Sequence, residues 1–329
     1  VVSNVKNLSD KALSAKDFKT EVHIDWCPGC GDFGITAAVQ QALAEMKLAP
    51  WRVAIFSGVG CSSKTPHFIK TYGIHTLHGR VLPFALGAKM ANPELEVVAV
   101  GGDGDGYGIG AGHFVHAGRR NVDMAYIVFN NEVYGLTKGQ ASPTLGLGQK
   151  PKSLPLPNPN EGINPLAMAL SAGYTFIARS YSFAGAHLKQ TIIKAIEHKG
   201  MALVDVLQPC PTYNDLHNKE WFAEMVEIHG EKKPRCFIIE DQGYDGVVKD
   251  PANQDEIDEK KKQAFGMAQY RGEQVPLGVL FQVEVPTYYE RLAASAAILN
   301  QFSPANAPIS EPSGKPTTNL AKTYESLLV

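Results

Sequence analysis

Four apolar runs, each leading to a residue that can do chemistry, constrain this chain more than anything else in it. Residues 51–58 lead to Cys61, 95–101 to Asp103, and 201–207 to Cys210, while 124–131 closes on Asn131. Continuous apolar runs without period-two alternation are the pattern of strands buried on both faces. Helix-period segments lie between them. Residues 31–48 carry Phe33, Ala37, Ala38, Ala42, Leu43 and Met46 on one stripe, and 81–91 is stopped by Asn92-Pro93. Residues 107–117 read as a small-residue helix, 174–180 as a further strand, and 183–198 as the helix between the last two strands. Strands alternating with helices predict an α/β fold, a mostly parallel sheet with helices on both faces. Ligands of such sheets bind outside the carboxyl ends of the strands, where Cys61, Asp103 and Asn131 fall.

The chain has 329 residues, 44% hydrophobic and 19% charged, enough to bury a real core. A net charge of −2 argues against nucleic acid as a partner. No run approaches the roughly 20 apolar residues a membrane span needs. The first residues, with Lys6, Asp10, Lys11, Lys16 and Asp17, lack an apolar signal core. The expectation is a cytoplasmic protein with reduced thiols, whose cysteines serve metal binding or catalysis. Residues 1–22 read as a polar arm and 23–225 as the main domain. Residues 226–329 read as an extension suited to contacts with another subunit. Within it, 250–263 is a charged helix with a solvated face, and 302–329 is a Pro-, Ser- and Thr-rich tail, disordered or wrapped on a partner. Residues 139–165, rich in Gly, Pro, Ser and Asn, form a loop long enough to be functional.

Four of the five cysteines sit beside Gly or Pro, where backbone approaches a bulky centre closely. They are Cys27 and Cys30 in Trp26-Cys27-Pro28-Gly29-Cys30-Gly31, Cys61 in Gly58-Val59-Gly60-Cys61-Ser62, and Cys210 in Gln208-Pro209-Cys210-Pro211. Cys236 has no such setting. Four thiolates can close one metal site. By spacing alone a structural zinc and an iron–sulfur cluster both remain open, although only one CxxC pair is present.

The second signature is Gly101-Gly102-Asp103-Gly104-Asp105-Gly106, directly after a buried strand. Glycines there let backbone N–H groups approach a diphosphate. An Asp among them suits Mg2+, with Asn131 and the Val133 carbonyl as further oxygen ligands. Gly106-x-Gly108-x-x-Ala111 also spells a dinucleotide fingerprint. Against that reading, Asp103 and Asp105 would crowd a pyrophosphate, and the next strand ends in Asn130-Asn131 rather than an acidic residue. A purely structural glycine turn is the third possibility.

In these residues the chain resembles the β subunits of archaeal 2-oxoacid:ferredoxin oxidoreductases over roughly residues 20–225. The resemblance rests on the cysteine motifs above, on His75-Thr76-Leu77-His78-Gly79-Arg80, on Gly102-Asp103-Gly104-Asp105, and on residues 130–140, Asn-Asn-Glu-Val-Tyr-Gly-Leu-Thr-Lys-Gly-Gln. It implies a thiamine-diphosphate-binding fold with Mg2+ and one [4Fe–4S] cluster in residues 23–225. Asp103, Asn131 and Val133 would hold Mg2+. Val59, Gly60, Cys61, Ser62, His78, Gly102, Gly104, Asp105, Gly135 and Leu136 would line thiamine diphosphate. Cys27, Cys30, Cys61 and Cys210 would hold the cluster. Lys64 would pair with the substrate carboxylate, and Lys138 would assist substrate or coenzyme A. The implied reaction is oxidative decarboxylation of a 2-oxo acid to acyl-CoA and CO2, with electrons passing to ferredoxin. The implied partner is an α subunit, which supplies the activating glutamate, so this chain is expected to be inactive alone. The rivals are a non-redox thiamine diphosphate lyase or ligase subunit with a structural zinc site, and a non-catalytic scaffold.

Overall fold

The computed structural model describes residues 13–270, 273–295 and 304–317, with residues 321 and 325. In chain order the strands are β1 (Val53–Ser57), β2 (Tyr72–His75), β3 (Glu96–Gly102), β4 (Met124–Asn130), β5 (Val133–Tyr134), β6 (Gln140–Ala141), β7 (Phe176–Tyr181), β8 (Met201–Leu207), β9 (Met225–Ile228), β10 (Glu231–Pro234), β11 (Cys236–Ile238) and β12 (Val275–Gln282). The helices are α1 (Asp32–Glu45), α2 (Thr65–Phe68), α3 (Val81–Ala91), α4 (Ala111–Arg120), α5 (Pro165–Ala172), α6 (Gly185–Glu197), α7 (Lys219–Ala223), α8 (Gln254–Ala268) and α9 (Tyr288–Ser295).

Eight strands form the main sheet in the order β11-β12-β7-β8-β4-β3-β1-β2. All neighbours are parallel except β12 against β7. The central strands are buried throughout, as the unbroken apolar runs require. β4 shows how one run feeds two cores. Met124, Tyr126 and Val128 face the layer of α3, α4, α5 and α8, while Ala125, Ile127 and Phe129 face α1 and α6. No helix among the described residues is long and apolar enough to cross a membrane.

The structure departs from the sequence expectations in four places. The first helical stretch after β3 is a wide π-type turn over Gly104–Ile109, and the regular helix starts only at Ala111. Phe18, in the stretch read as a polar arm, is fully buried against α1, a contact that stabilises by about 2 kcal/mol. The charged helix is α8, and it is not merely solvated, because Ala264 and Ala268 are buried in the core. Residues after 225 contribute β11 and β12 to the sheet itself. Ser310 and Pro316 of the C-terminal tail pair in an isolated bridge; residues 1–12 and most of the chain after 317 lie outside the described residues.

Candidate active site

Asp103 follows β3 and opens the π-type turn. It is buried, and its Oδ2 accepts hydrogen bonds from the Glu132 N–H at 3.0 Å, from Thr144 Oγ1 at 2.6 Å and from Ser142 Oγ. Burial pushes its carboxyl up to about 6, against the pull of the Ser142 and Thr144 hydroxyls. A buried carboxylate held short of neutralisation is a fitting ligand for a cation. Asn131 turns the chain after β4, with its Oδ1 accepting the Val133 N–H at 3.0 Å. Glu132 between them takes a left-handed φ of 65°. This turn brings Asn131 and Val133 to the same cavity as Asp103.

Asp105 has a different part. Its Oδ1 accepts the Val59 N–H at 2.9 Å, the Gly79 N–H at 2.8 Å and His78 Nδ1 at 2.7 Å. One buried oxygen therefore ties the loop after β1 to the loop before α3. Its Oδ2 is packed against Gly58, where an added Cβ would come within 1.9 Å, and has no hydrogen-bond partner among the described residues. The sequence made Asp105 a cofactor-lining residue; it lines the cavity, but its bonds hold the protein's own backbone in place.

These loops enclose a cavity of about 150 Å3 at the carboxyl ends of β1, β3 and β4. Val59, Gly60, Cys61, Ser62, His78, Gly102, Gly104, Asp105, Gly135 and Leu136 all line it. Gly104 is required there, because a Cβ would lie 2.2 Å from the Tyr134 ring. Gly106 and Gly108 do not line it. They pack on Tyr126 and Tyr134, so the dinucleotide spelling describes side-chain packing rather than a pyrophosphate cradle.

The four cysteines are free and come from three segments that are stitched together. Trp26 Nε1 donates to the Cys61 carbonyl at 2.8 Å, and the Gly31 N–H to the Pro209 carbonyl at 3.3 Å. Gly29 holds a φ of 83° within the CxxC turn. A Cβ on Gly135 would lie 3.4 Å from Cys61 Sγ and 3.8 Å from Cys210 Sγ, so the loop carrying Gly135 runs directly beside two thiols. Burial is the largest cause raising the Cys30 and Cys210 thiols, Cys30 well above the usual range, and it pushes Cys61 up to about 12. Neighbouring Asp32 adds to this at all three, and neighbouring thiols add to it at Cys30 and Cys61. Such a group ionises together only with a cationic centre in its midst. Among the described residues, no group of three or more His, Cys, Asp or Glu side chains is placed so that it could hold a metal ion.

Two residues put forward from sequence are not brought into the cavity. Lys64 Nζ pairs with Asp25 Oδ2 at 2.8 Å. Lys138 is exposed beyond Thr137, with a left-handed φ of 78°. Sequence reasoning passed over Ser142 and Thr144 as the hydroxyls on Asp103; they lie in the 139–165 loop, whose length was the only signal. It also gave no role to Gln208, which lines the cavity beside Cys61.

A parallel sheet with a buried Asp, an Asn turn and glycine-lined loops at its strand ends defines a thiamine-diphosphate-binding fold. Residues 58–206 match the family described as thiamine pyrophosphate enzyme, C-terminal TPP binding domain, and residues 210–297 match the family of the C-terminal part of the pyruvate ferredoxin oxidoreductase beta subunit. The chain is 54% identical over 299 residues to a 2-oxoacid:ferredoxin oxidoreductase subunit beta of Saccharolobus solfataricus, covering 90% of this chain and 94% of the relative. It is 51% identical over 304 residues to a counterpart from Aeropyrum pernix, covering 91% of each. A solved structure of 2-oxoglutarate:ferredoxin oxidoreductase from Magnetococcus marinus, with 2-oxoglutarate, coenzyme A and succinyl-CoA bound, superposes with a TM-score of 0.78 at 32% identity over 96% of both chains. The chain belongs to the family of 2-oxoacid:ferredoxin oxidoreductase β subunits.

Proposed function

We propose that this chain, with an α subunit, oxidatively decarboxylates 2-oxo acids to acyl-CoA and passes the electrons through a [4Fe–4S] cluster to ferredoxin. The observation that carries the reading is the position of Cys61. It lines the cofactor cavity and lies, with Cys210, beside Gly135 of the loop that closes that cavity. Asp103, Asn131 and the Val133 carbonyl would hold Mg2+ against the diphosphate. Cys27, Cys30, Cys61 and Cys210 would hold the cluster.

Bound thiamine diphosphate supplies the carbon that stabilises charge as a 2-oxo acid loses CO2, and a cluster accepts electrons singly. This chain's residues position and enclose. Asp105 fixes Val59, His78 and Gly79 as one wall. Tyr134, tied to the Gly104 carbonyl at 3.3 Å, braces the opposite one. Ser142 and Thr144 orient Asp103 so that its carboxylate faces the cavity already aligned. Leu136, about half exposed, stands at the mouth facing outward, where an α subunit would cover it. Free cysteines of this kind suit the cytoplasm, where thiols stay reduced.

The test is anaerobic co-purification with the α subunit, followed by assay of several 2-oxo acids with coenzyme A and a dye or ferredoxin acceptor. Acceptor reduction that depends on both 2-oxo acid and coenzyme A supports the reading. Aldehyde or acyloin release without acceptor reduction would favour the lyase alternative.

A further inference from the structure

A second cavity, of about 230 Å3, lies at the carboxyl ends of β4, β7 and β8, behind the Asp103 network. Thr144, Asn130 and Glu132 form the partition, since Thr144 Oγ1 bonds both Asp103 and Asn130 while the Glu132 N–H bonds Asp103. The volume far exceeds what one water requires. Nothing in the reaction proposed above uses it.

Its polar floor is Arg179, on β7, 3% exposed. Arg179 Nε donates to Asp205 Oδ2 at 3.2 Å. Its two Nη groups have no hydrogen-bond partner among the described residues, and the residue lines the cavity. A guanidinium edge open to a cavity offers its N–H groups to water or to a ligand acceptor. The nearby carboxylates are already engaged. Asp205 Oδ1 accepts from Tyr107 Oη at 3.2 Å and Asn130 Nδ2 at 3.0 Å. Glu132 is held by His217 and Asn214. Leu207, Phe222, Val275 and Trp221 supply apolar wall, and Gln149, Gln208 and His217 are further polar lining groups.

We propose that this cavity is a binding site for a small organic monocarboxylate, its carboxylate on the open edge of Arg179 and its apolar body against Phe222, Leu207 and Val275. One guanidinium fork matches one planar carboxylate in two parallel hydrogen bonds. A doubly charged phosphate would find no second Lys or Arg among the described lining residues and would face Glu132. The apolar walls select a ligand with a hydrocarbon or aromatic body over a bare anion.

The site is tested by titrating benzoate and 4-methylpentanoate into the purified αβ complex, saturated with thiamine diphosphate and Mg2+, by calorimetry and ligand-observed NMR. The cofactor cavity is then filled, and the readout needs no turnover. The expected result is saturable binding of both acids, with benzamide and 4-methylpentanamide at least about tenfold weaker. Arg179→Lys, which keeps a cation for Asp205 but loses the fork, weakens benzoate at least about tenfold. Val275→Phe fills the cavity without changing charge and abolishes binding. No binding to wild type at about 10 mM, amides as tight as acids, inorganic phosphate tighter than either acid, or equal binding by wild type and Val275→Phe would each overturn the proposal.

Discussion

Asp105→Asn tests the claim that one buried oxygen builds a wall of the cofactor cavity. In the wild type, Oδ1 takes three hydrogen bonds, from Val59, Gly79 and His78, at 2.7 to 2.9 Å. Each is assisted by the carboxylate's charge, and such bonds contribute about 1.5–3 kcal/mol against about 1 for neutral ones. Neutralising the acceptor therefore loses about 2–4 kcal/mol over the three. The substitution also puts an amide N–H2 where Oδ2 now sits without a partner against Gly58. A buried donor with nothing to bond adds about 1–3 kcal/mol. Part of this loss appears as global stability and part as loosening of residues 59 and 78–79, which line the cavity. The assays are urea unfolding and calorimetric titration of thiamine diphosphate with Mg2+ into the αβ complex. We expect unfolding stability to fall by about 3 kcal/mol and cofactor affinity to weaken by about tenfold or more. Unchanged affinity with stability within about 0.5 kcal/mol of wild type would show that Asp105 does not hold the wall.

Three further outcomes are expected. His198 is buried, with Nε2 at 2.8 Å from Thr175 Oγ1, and burial pushes its pKa down to about 4 from 6.5. Its neutral form is the folded one, so the stability it contributes is full above pH 6.5 and is lost as pH falls to about 4, by about 3 kcal/mol. Unfolding free energies of wild type and His198→Gln should converge toward acid, and parallel curves would refute this. Gly104→Ala places a methyl into the Tyr134 ring and should weaken thiamine diphosphate binding; Gly104→Ala with Tyr134→Leu should recover part of it, and no recovery would count against the clash. Asp103, pushed up to about 6 by burial, must lose its proton to hold a cation. Mg2+ affinity should be flat above pH 7 and fall about tenfold per unit below pH 6, whereas a profile flat down to pH 4.5 would remove Asp103 from the ligand set.

The sheet was legible because its central strands are apolar on both faces and need no partner to be recognised. β12 was not, because Pro276 and Gly278 read as strand breakers. They are tolerated near the sheet edge, where Pro276 pairs with Phe237 of β11 and Gly278 takes a φ of 140° against Glu240. Phe18 was missed because a single aromatic in a polar stretch has no period to report. At the site, residue types at the strand ends pointed to a thiamine diphosphate cavity, yet types do not give direction. Asp103 and Asp105 look alike in sequence, and only the fold shows one facing hydroxyls and the other backbone N–H groups. Lys64 carries no local sign of Asp25, which reaches it from the other side of the cysteine motif.

The central claim is that electrons leave the cofactor cavity through the four cysteines. The direct measurement is electron paramagnetic resonance on the anaerobically purified αβ complex, before and after adding a 2-oxo acid with coenzyme A, alongside iron, sulfide and zinc analysis. We expect about four irons and four sulfides assigned to this chain, a reduced-cluster signal that appears on adding substrate, and loss of that signal in Cys210→Ala. Zinc in place of iron, or an iron–sulfur signal that persists unchanged in Cys210→Ala, would contradict it.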